Sequence, residues 1–346
     1  MVRARNLTDD WKNYWDKLPF EHCTDIIVYS MYLDADGKLR MKRSTIIGGR
    51  LGHPFSMETP YHRGIRSNVY ITYGGSRADS PAIGKSVLEW RAIAHIVDQL
   101  HDLMKNSNYR GLNLDWDHPK DACQQEQGLL YKFLHRFSQD VYVLLTVPPD
   151  AHILKQLRLQ SLVTYRIVTR IEHIIVATHR LRAQGLVCCT GGLNEASMVF
   201  WAIKKVLPLW LHHRLAYSIA LGADTYFSNS RELWTPGVPL SRFYDPAQGT
   251  MKMSYKEVCK LPTVNKTDEC VLSIAARNSS GYKMVAFAGT EQLRNRLVKT
   301  NYYEMDQYPV VIYDIELDDY EGVCEKIKWP LTRAFSEPFN QSLRHP

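Results

Sequence analysis

The chain has 346 residues, 45% of them hydrophobic, and a formal net charge of +7, with a pI near 8.9 and a mean hydropathy of -0.31. No apolar run approaches the roughly 20 residues that a bilayer-spanning helix needs, and the basic residues are scattered without a nucleic-acid-binding motif. Membrane-spanning and nucleic-acid-binding classes are therefore excluded, and a globular chain with a solvated basic surface is expected.

In chain order, Met1 to Lys17 carries charges throughout and lacks the apolar core of a secretory signal peptide. Residues 41–66, with Gly48, Gly49, Gly52, Pro54, Pro60 and Gly64, read as a loop. A strand is predicted over about 68–73. A helix is predicted over 86–105, where Val87, Trp90, Ile93, Ile96, Val97, Leu100, Leu103 and Met104 recur at helical spacing. Further on come a helix over about 123–138, a strand over 141–147 stopped by Pro148 and Pro149, and a strand over 171–178. A helix over 196–206, a strand near 215–221 and a helix over 291–299 complete the series. No internal repeat or low-complexity tract interrupts it.

The stretch Arg110-Gly-Leu-Asn-Leu-Asp-Trp-Asp-His-Pro119 stands apart. As an extended strand it places Leu112, Leu114 and Trp116 on one face and Asn113, Asp115 and Asp117 on the other. Carboxyl groups lined up inside a sheet need a water-filled or ligand-filled place, and the end of a barrel strand supplies one. This segment resembles the fourth-strand signature of glycoside hydrolase family 18, the chitinases and chitinase-like lectins, which reads Asp-Gly-x-Asp-x-Asp-x-Glu followed by an aromatic and a proline. Gly111, Asp115, Trp116 and Pro119 agree with it, whereas Arg110, Asn113 and Asp117 replace two Asp and the catalytic Glu. Other anchors follow in family order over residues 23–335. Cys23 to Val28 is similar to the second strand, Asp36 to Leu39 to its turn, Val69 to Gly75 to the third strand, and Val310 to Gly322 to the eighth strand and its loop.

The resemblance implies a (β/α)8 TIM barrel with a short α+β insertion after strand seven. Residues 1–22 replace the usual first strand, 23–223 and 285–335 form the barrel, 224–284 the insertion and 336–346 a tail. On this reading the first strand is missing, and Trp11, Tyr14, Trp15 and Phe20 are candidates to patch the gap. It also implies a disulfide between Cys259 and Cys324. Seven cysteines is an odd number, so at least one thiol is expected to stay reduced or to pair between chains; the adjacent Cys188 and Cys189 have no second ligand pair at metal spacing, so no metal or other cofactor is expected. Sequons at Asn6, Asn265, Asn278 and Asn340, with the secreted character of the family, imply an extracellular glycoprotein.

Family enzymes hydrolyse β-1,4-linked N-acetylglucosamine with the sugar's own acetamido oxygen as nucleophile and a protein Glu as acid. Asp117 at that acid position is one methylene shorter, which retracts the carboxyl by more than about 1 Å, and such misplacement can cost roughly a hundredfold. Asn113 cannot share a proton with Asp115, and a guanidinium from Arg110 or Arg180 near these carboxyls would favour their ionised forms. His179 and Arg180 stand where the family has Tyr and Asp. For sugar binding, Tyr313 matches the stacking Trp of strand eight, with His179, Arg180 and Tyr73 as further substrate-binding candidates, while Ser30 and Ser76 stand where the family has aromatics. The expected function is a catalytically defective chitinase-like protein that binds chitin-like oligosaccharides at the C-terminal mouth of the barrel. The alternatives are a weak chitinase using Asp117 as its acid and a protein-interaction barrel without a sugar site. Oligomeric state is not legible.

Overall fold

The structure is a computed structural model that describes residues 19, 23–33, 38–41, 68–74, 90–106, 109–115, 133–137, 141–151, 168–181, 193–228, 252–278 and 281–342. The expected substitute for a first strand within 1–22 and the 41–66 loop lie outside the described residues, Pro19 and Met41 aside. In chain order the elements are β1 (Asp25–Leu33), β2 (Leu39–Met41), β3 (Asn68–Gly74), α1 (Trp90–Asn106), β4 (Gly111–Asp115), β5 (Tyr142–Val147), β6 (Ile171–Val176), α2 (Leu193–Val206) and β7 (Leu215–Ala220). They continue with β8 (Ala223–Ser228), β9 (Lys252–Met253), α3 (Tyr255–Val258), β10 (Thr263–Lys266), β11 (Val271–Asn278), β12 (Gly281–Phe287), α4 (Thr290–Tyr302), β13 (Val310–Tyr313) and α5 (Pro330–Ser342). Two compact units divide the chain, the first Met1–Ala177 with Val199–Tyr217 and the second Thr178–Met198 with Ser218–Pro346.

The first unit holds the sheet β2-β1-β3-β4-β5-β6-β7. Every neighbouring pair from β1 to β7 is parallel, and β2 folds back antiparallel on β1. Helix α1 forms where the sequence predicts one, because Ile93, Ile96, Val97, Leu100 and Met104 fall on one stripe, and all five are buried. Strand β4 is buried on both faces, with Leu112, Asn113 and Leu114 at 0% exposure and Asp115 at 1%. The alternation of apolar and polar residues is present as expected, but both of its faces are packed.

Gly111 opens β4 because nothing larger fits. A Cβ there would lie 2.0 Å from the Tyr142 carbonyl oxygen on β5 and 3.1 Å from a Tyr70 ring carbon on β3. Backbone cannot yield as a flexible side chain can, so a methyl group forces β4 and β5 apart.

The N-terminal ends of these strands carry a chain of polar contacts. Asp25 accepts hydrogen bonds from the Thr24 hydroxyl and from Asn68 Nδ2, both at 2.8 Å. Asn68 Oδ1 accepts from Arg110 at 3.2 Å, and Arg110 forms an ion pair with Glu172 while its guanidinium sits 4.4 Å from the Tyr142 ring centre. Burial, then the Asp25 carboxylate, push the Glu172 carboxyl up to about 7 against the pull of Arg214. The Arg110 side chain is 38% exposed, so water screens its opposing pull on Glu172.

In the second unit the C-terminal half of β7 neighbours β13, and Leu221 N–H donates to the Tyr313 carbonyl at 2.9 Å. The insertion between them is a five-stranded antiparallel sheet, β10-β11-β12-β8-β9, closed on a core of Tyr226, Cys270, Leu272, Met284 and Ala286. The disulfide Cys259–Cys324 is formed, with its Cα atoms 5.9 Å apart, and Cys270 is disulfide-bonded as well. The Asp318-Asp319 pair in the loop after β13 anchors backbone. Asp318 accepts from Leu331 N, Thr332 N and the Thr332 hydroxyl at the start of α5, and Asp319 accepts from Gly322 N and Cys324 N. Burial holds Asp318 above the usual carboxylate range despite these donors.

Two predictions follow for stability. Gly111→Ala is expected to lose about 3 kcal/mol or more, read as a lower urea midpoint. A carboxyl whose folded value is raised stabilises the fold below its unfolded value of 4.5 and loses that contribution as pH rises toward about 7. The Glu172 contribution to wild-type stability is therefore expected to fall from pH 5 to pH 8, and Glu172→Gln is expected to flatten that slope; an unchanged slope in the variant would place the titration elsewhere.

Candidate functional site

Strand parity decides which side chains of the first unit share a face. Thr72 pairs with Asn113 and Asp115 with Thr146 across the parallel registers, so Thr72, Asn113, Asp115 and Thr146 fall on one side of the sheet. Asn113 Nδ2 donates to the Thr72 hydroxyl at 3.2 Å, and the Thr146 hydroxyl donates to Asn113 Oδ1 at 2.8 Å. All three residues are at most 1% exposed. Thr72 of β3 and Thr146 of β5 thus meet the Asn113 amide from both sides. The resulting ladder is neutral, and Asn113 is held at both ends of its amide with no proton to share with Asp115.

The other predicted residues of this unit lie elsewhere. Tyr73 has the opposite parity to Thr72; it is 1% exposed and its ring centre lies 6.3 Å from that of Phe133. It belongs to the packing between the sheet and the helical stretch at 133–137, away from the Asn113 face. Arg110 is not beside the carboxyls. It stands at the N-terminal end of β4, five residues from Asp115, a distance of about 16 Å at strand rise, and its guanidinium is turned to Glu172 and Asn68. Asp117 lies outside the described residues.

The second unit carries the remaining candidates. After β6 the chain turns through one 3-10 turn, Thr178–Arg180. The Thr178 hydroxyl donates to the Ser218 carbonyl and accepts from Ser218 N–H at 2.9 Å, which ties the turn to β7. Ser218 Oγ is 2.7 Å from His179 Nδ1 and accepts from His179 N–H at 3.2 Å. The imidazole lies over Tyr313, ring centres 3.7 Å apart and planes 19° from parallel, and Tyr313 is 2% exposed. Tyr313 and His179, read from sequence as a sugar platform and a hydrogen-bond donor to an acetamido group, thus form one stacked pair. Arg180 follows in the same turn, half-buried.

The turn after Tyr313 is made by Asp314, whose φ of 57° lies in the left-handed region that Asp tolerates better than most residues. Its carboxylate pairs with Lys252 of β9, and both side chains are largely buried, at 8% and 14% exposure. Breaking such a pair costs about 3–5 kcal/mol because one charge is left buried alone. Thr72, Thr146, Ser218, Asp314 and Lys252 were not marked by sequence reasoning. The threonines sit at polar inward positions of strands already assigned, and Asp314 directly follows Tyr313, so register could have found them; Lys252 carries no sequence signal. Among the described residues no group of His, Cys, Asp or Glu could hold a metal ion, and no helix is long and apolar enough to cross a membrane.

No family model matches the sequence, and no curated protein matches it. Solved structures do. An immunomodulatory active chitinase from Trichuris suis superposes with a TM-score of 0.70 at 12% identity, over 97% of this chain and 99% of that one. A chitinase-like agglutinin from Robinia pseudoacacia gives 0.63 at 12% identity, over 97% and 100%. The class V chitinase of Nicotiana tobaccum, in complex with NAG4, gives 0.66 at 12% identity, over 96% and 98%. With the strand order, the inserted antiparallel sheet and these superpositions together, the chain has the (β/α)8 fold of the family 18 chitinases and chitinase-like lectins, in a divergent form.

Proposed function

We propose that this chain is a chitinase-like protein without hydrolytic activity that binds N-acetylglucosamine-containing, chitin-like glycans at the C-terminal ends of its barrel strands. The observation that carries the loss of hydrolysis is the Thr72–Asn113–Thr146 ladder. A family-type mechanism needs carboxyl groups that trade a proton beside the general acid, and here the neighbour is an amide fixed by two threonines. The acid itself is the short Asp117, and the residue that would steady the acetamido group, His179, is engaged with Ser218. The fold relatives include chitinases and an agglutinin, one of them in complex with NAG4, which supports a glycan as the ligand class. The Cys259–Cys324 disulfide and the four sequons support export. Of the latter, Asn265 lies on β10, Asn278 at the end of β11, Asn340 within α5 and Asn6 outside the described residues.

The burial of Tyr313 favours a second reading, a protein-interaction barrel without a sugar site. Calorimetric titration with a chitin hexamer separates the readings. Saturable heat without steady turnover is the expected result, and Asp117→Glu is expected to remain without turnover because Asn113 and His179 are unchanged. Steady turnover heat that vanishes in Asp117→Ala would establish a weak chitinase instead, and no heat from folded protein would favour the interaction barrel.

A further inference from the structure

We propose that residues 201–214 form a peripheral docking surface for a bilayer bearing anionic headgroups, with Leu209 as the side chain that enters the lipid and Lys204, Lys205 and Arg214 as the groups that meet the headgroups. The surface lies within the first unit and does not depend on the glycan-binding reading. Its first sign is in the sequence. No Asp or Glu stands between Glu195 and Asp224, and the span between them holds those three cations together with Trp201 and Trp210. A merely solvated surface mixes both signs of charge; this stretch has one sign and is rich in apolar and aromatic residues.

The local fold turns that composition outward. After α2 the chain passes Pro208 into the 3-10 turn Leu209–Arg214, which feeds the N-terminal end of β7. With three residues per turn, Leu209 and Leu211 point to different sides. Leu211 is 0% exposed and Leu209 is 82% exposed. The turn is held in this orientation, because Leu211 N–H donates to the Pro208 carbonyl at 2.9 Å and His212 Nε2 lies 3.2 Å from the Leu207 carbonyl oxygen. Around the leucine, Lys205 is exposed and Trp201, Lys204, Trp210 and Arg214 are half-buried. Lys204 Nζ lies 4.3 Å from the Trp201 ring centre, and Arg214 Nε donates to His213 at 3.1 Å. Arg214 also acts on Glu172, whose charge is already met by Arg110.

This arrangement fits a bilayer better than a protein partner. A stable protein interface covers about 800 Å² on each side around an apolar centre, whereas Leu209 is the one exposed large hydrophobic side chain among the described residues of the first unit. An interfacial site needs less: an apolar side chain below the headgroups, Trp at the boundary where one end is dry and the other wet, and Lys or Arg at the phosphates. Residues 201–214 supply all three, with no carboxylate among them to repel the lipid.

The test is co-sedimentation of the full chain with vesicles of phosphatidylcholine alone and of phosphatidylcholine with about 30% phosphatidylserine, an anionic content that attracts basic segments. Wild type is expected to sediment with the mixed vesicles, and less as salt rises from about 0.1 M to about 0.5 M. Leu209→Ser is expected to raise the lipid concentration for half-sedimentation at least about tenfold, and Lys205→Gln to raise it about fivefold on the mixed vesicles alone. Both side chains are exposed, so both variants are expected to melt as wild type does by circular dichroism. No sedimentation of folded wild type with either vesicle would overturn the proposal, as would equal sedimentation of wild type and Leu209→Ser. A wild type that instead dimerises in sedimentation velocity, with the dimer lost in Leu209→Ser, would assign the surface to a second copy of this chain and overturn the bilayer.

Discussion

A buried amide in the middle of a parallel sheet sets the terms for the first unit. Asn113 is fully buried between β3 and β5, and an unmet polar group there would cost about 1–3 kcal/mol. Thr72 and Thr146 meet it from both sides, which constrains the register of three strands at once, because a slip of one residue turns a threonine to the opposite face. Gly111, two residues earlier, lets β4 and β5 approach where any Cβ would strike the Tyr142 carbonyl. Gly111 and Asn113 therefore both do structural work here, the second as a neutral cross-strand link.

The two ends of the strands have divided their charges. Arg110 would harm a general acid if it lay beside Asp115, yet strand rise carries it to the opposite end, where Glu172, Asn68 and the Tyr142 ring receive it. In barrels of this type the N-terminal ends serve stability and the C-terminal ends serve chemistry. Arg110 stands at the N-terminal end of β4, and its contacts are of the first kind.

Element positions were legible because periodicity is local. The α1 stripe, the β5 run stopped by Pro148 and Pro149, and the Gly111 strand each declare themselves within a dozen residues, and the Cys259–Cys324 pairing came from resemblance in the same way. Side-chain partners were less so, because they depend on which strands become neighbours and in what register. Tyr73 looked available as an aromatic near a strand end, but its parity turns it to Phe133. Tyr313 and His179 are 134 residues apart in the chain; their identities suggested two separate contacts to a sugar, and only the juxtaposition of the turn after β6 with β13 reveals that they contact each other. The loop that carries Asp318 and Asp319 was placed by resemblance, while the role of this pair in seating backbone around α5 required the hydrogen bonds.

One physical rule bears on the polar and aromatic contacts of both units. An open glycan site keeps its polar groups and aromatic faces unsatisfied by protein so that a ligand can satisfy them, and a group already bonded within the fold must be released before it can serve. In the first unit Asn113 is satisfied by threonines. In the second, His179 is bonded to Ser218 and stacked on Tyr313, and Asp314 is neutralised by Lys252. The members of this set differ in how firmly they are held. The ladder lies within packed strands and the ion pair is largely buried, whereas His179 sits on a turn, bonded to Ser218 and stacked on Tyr313.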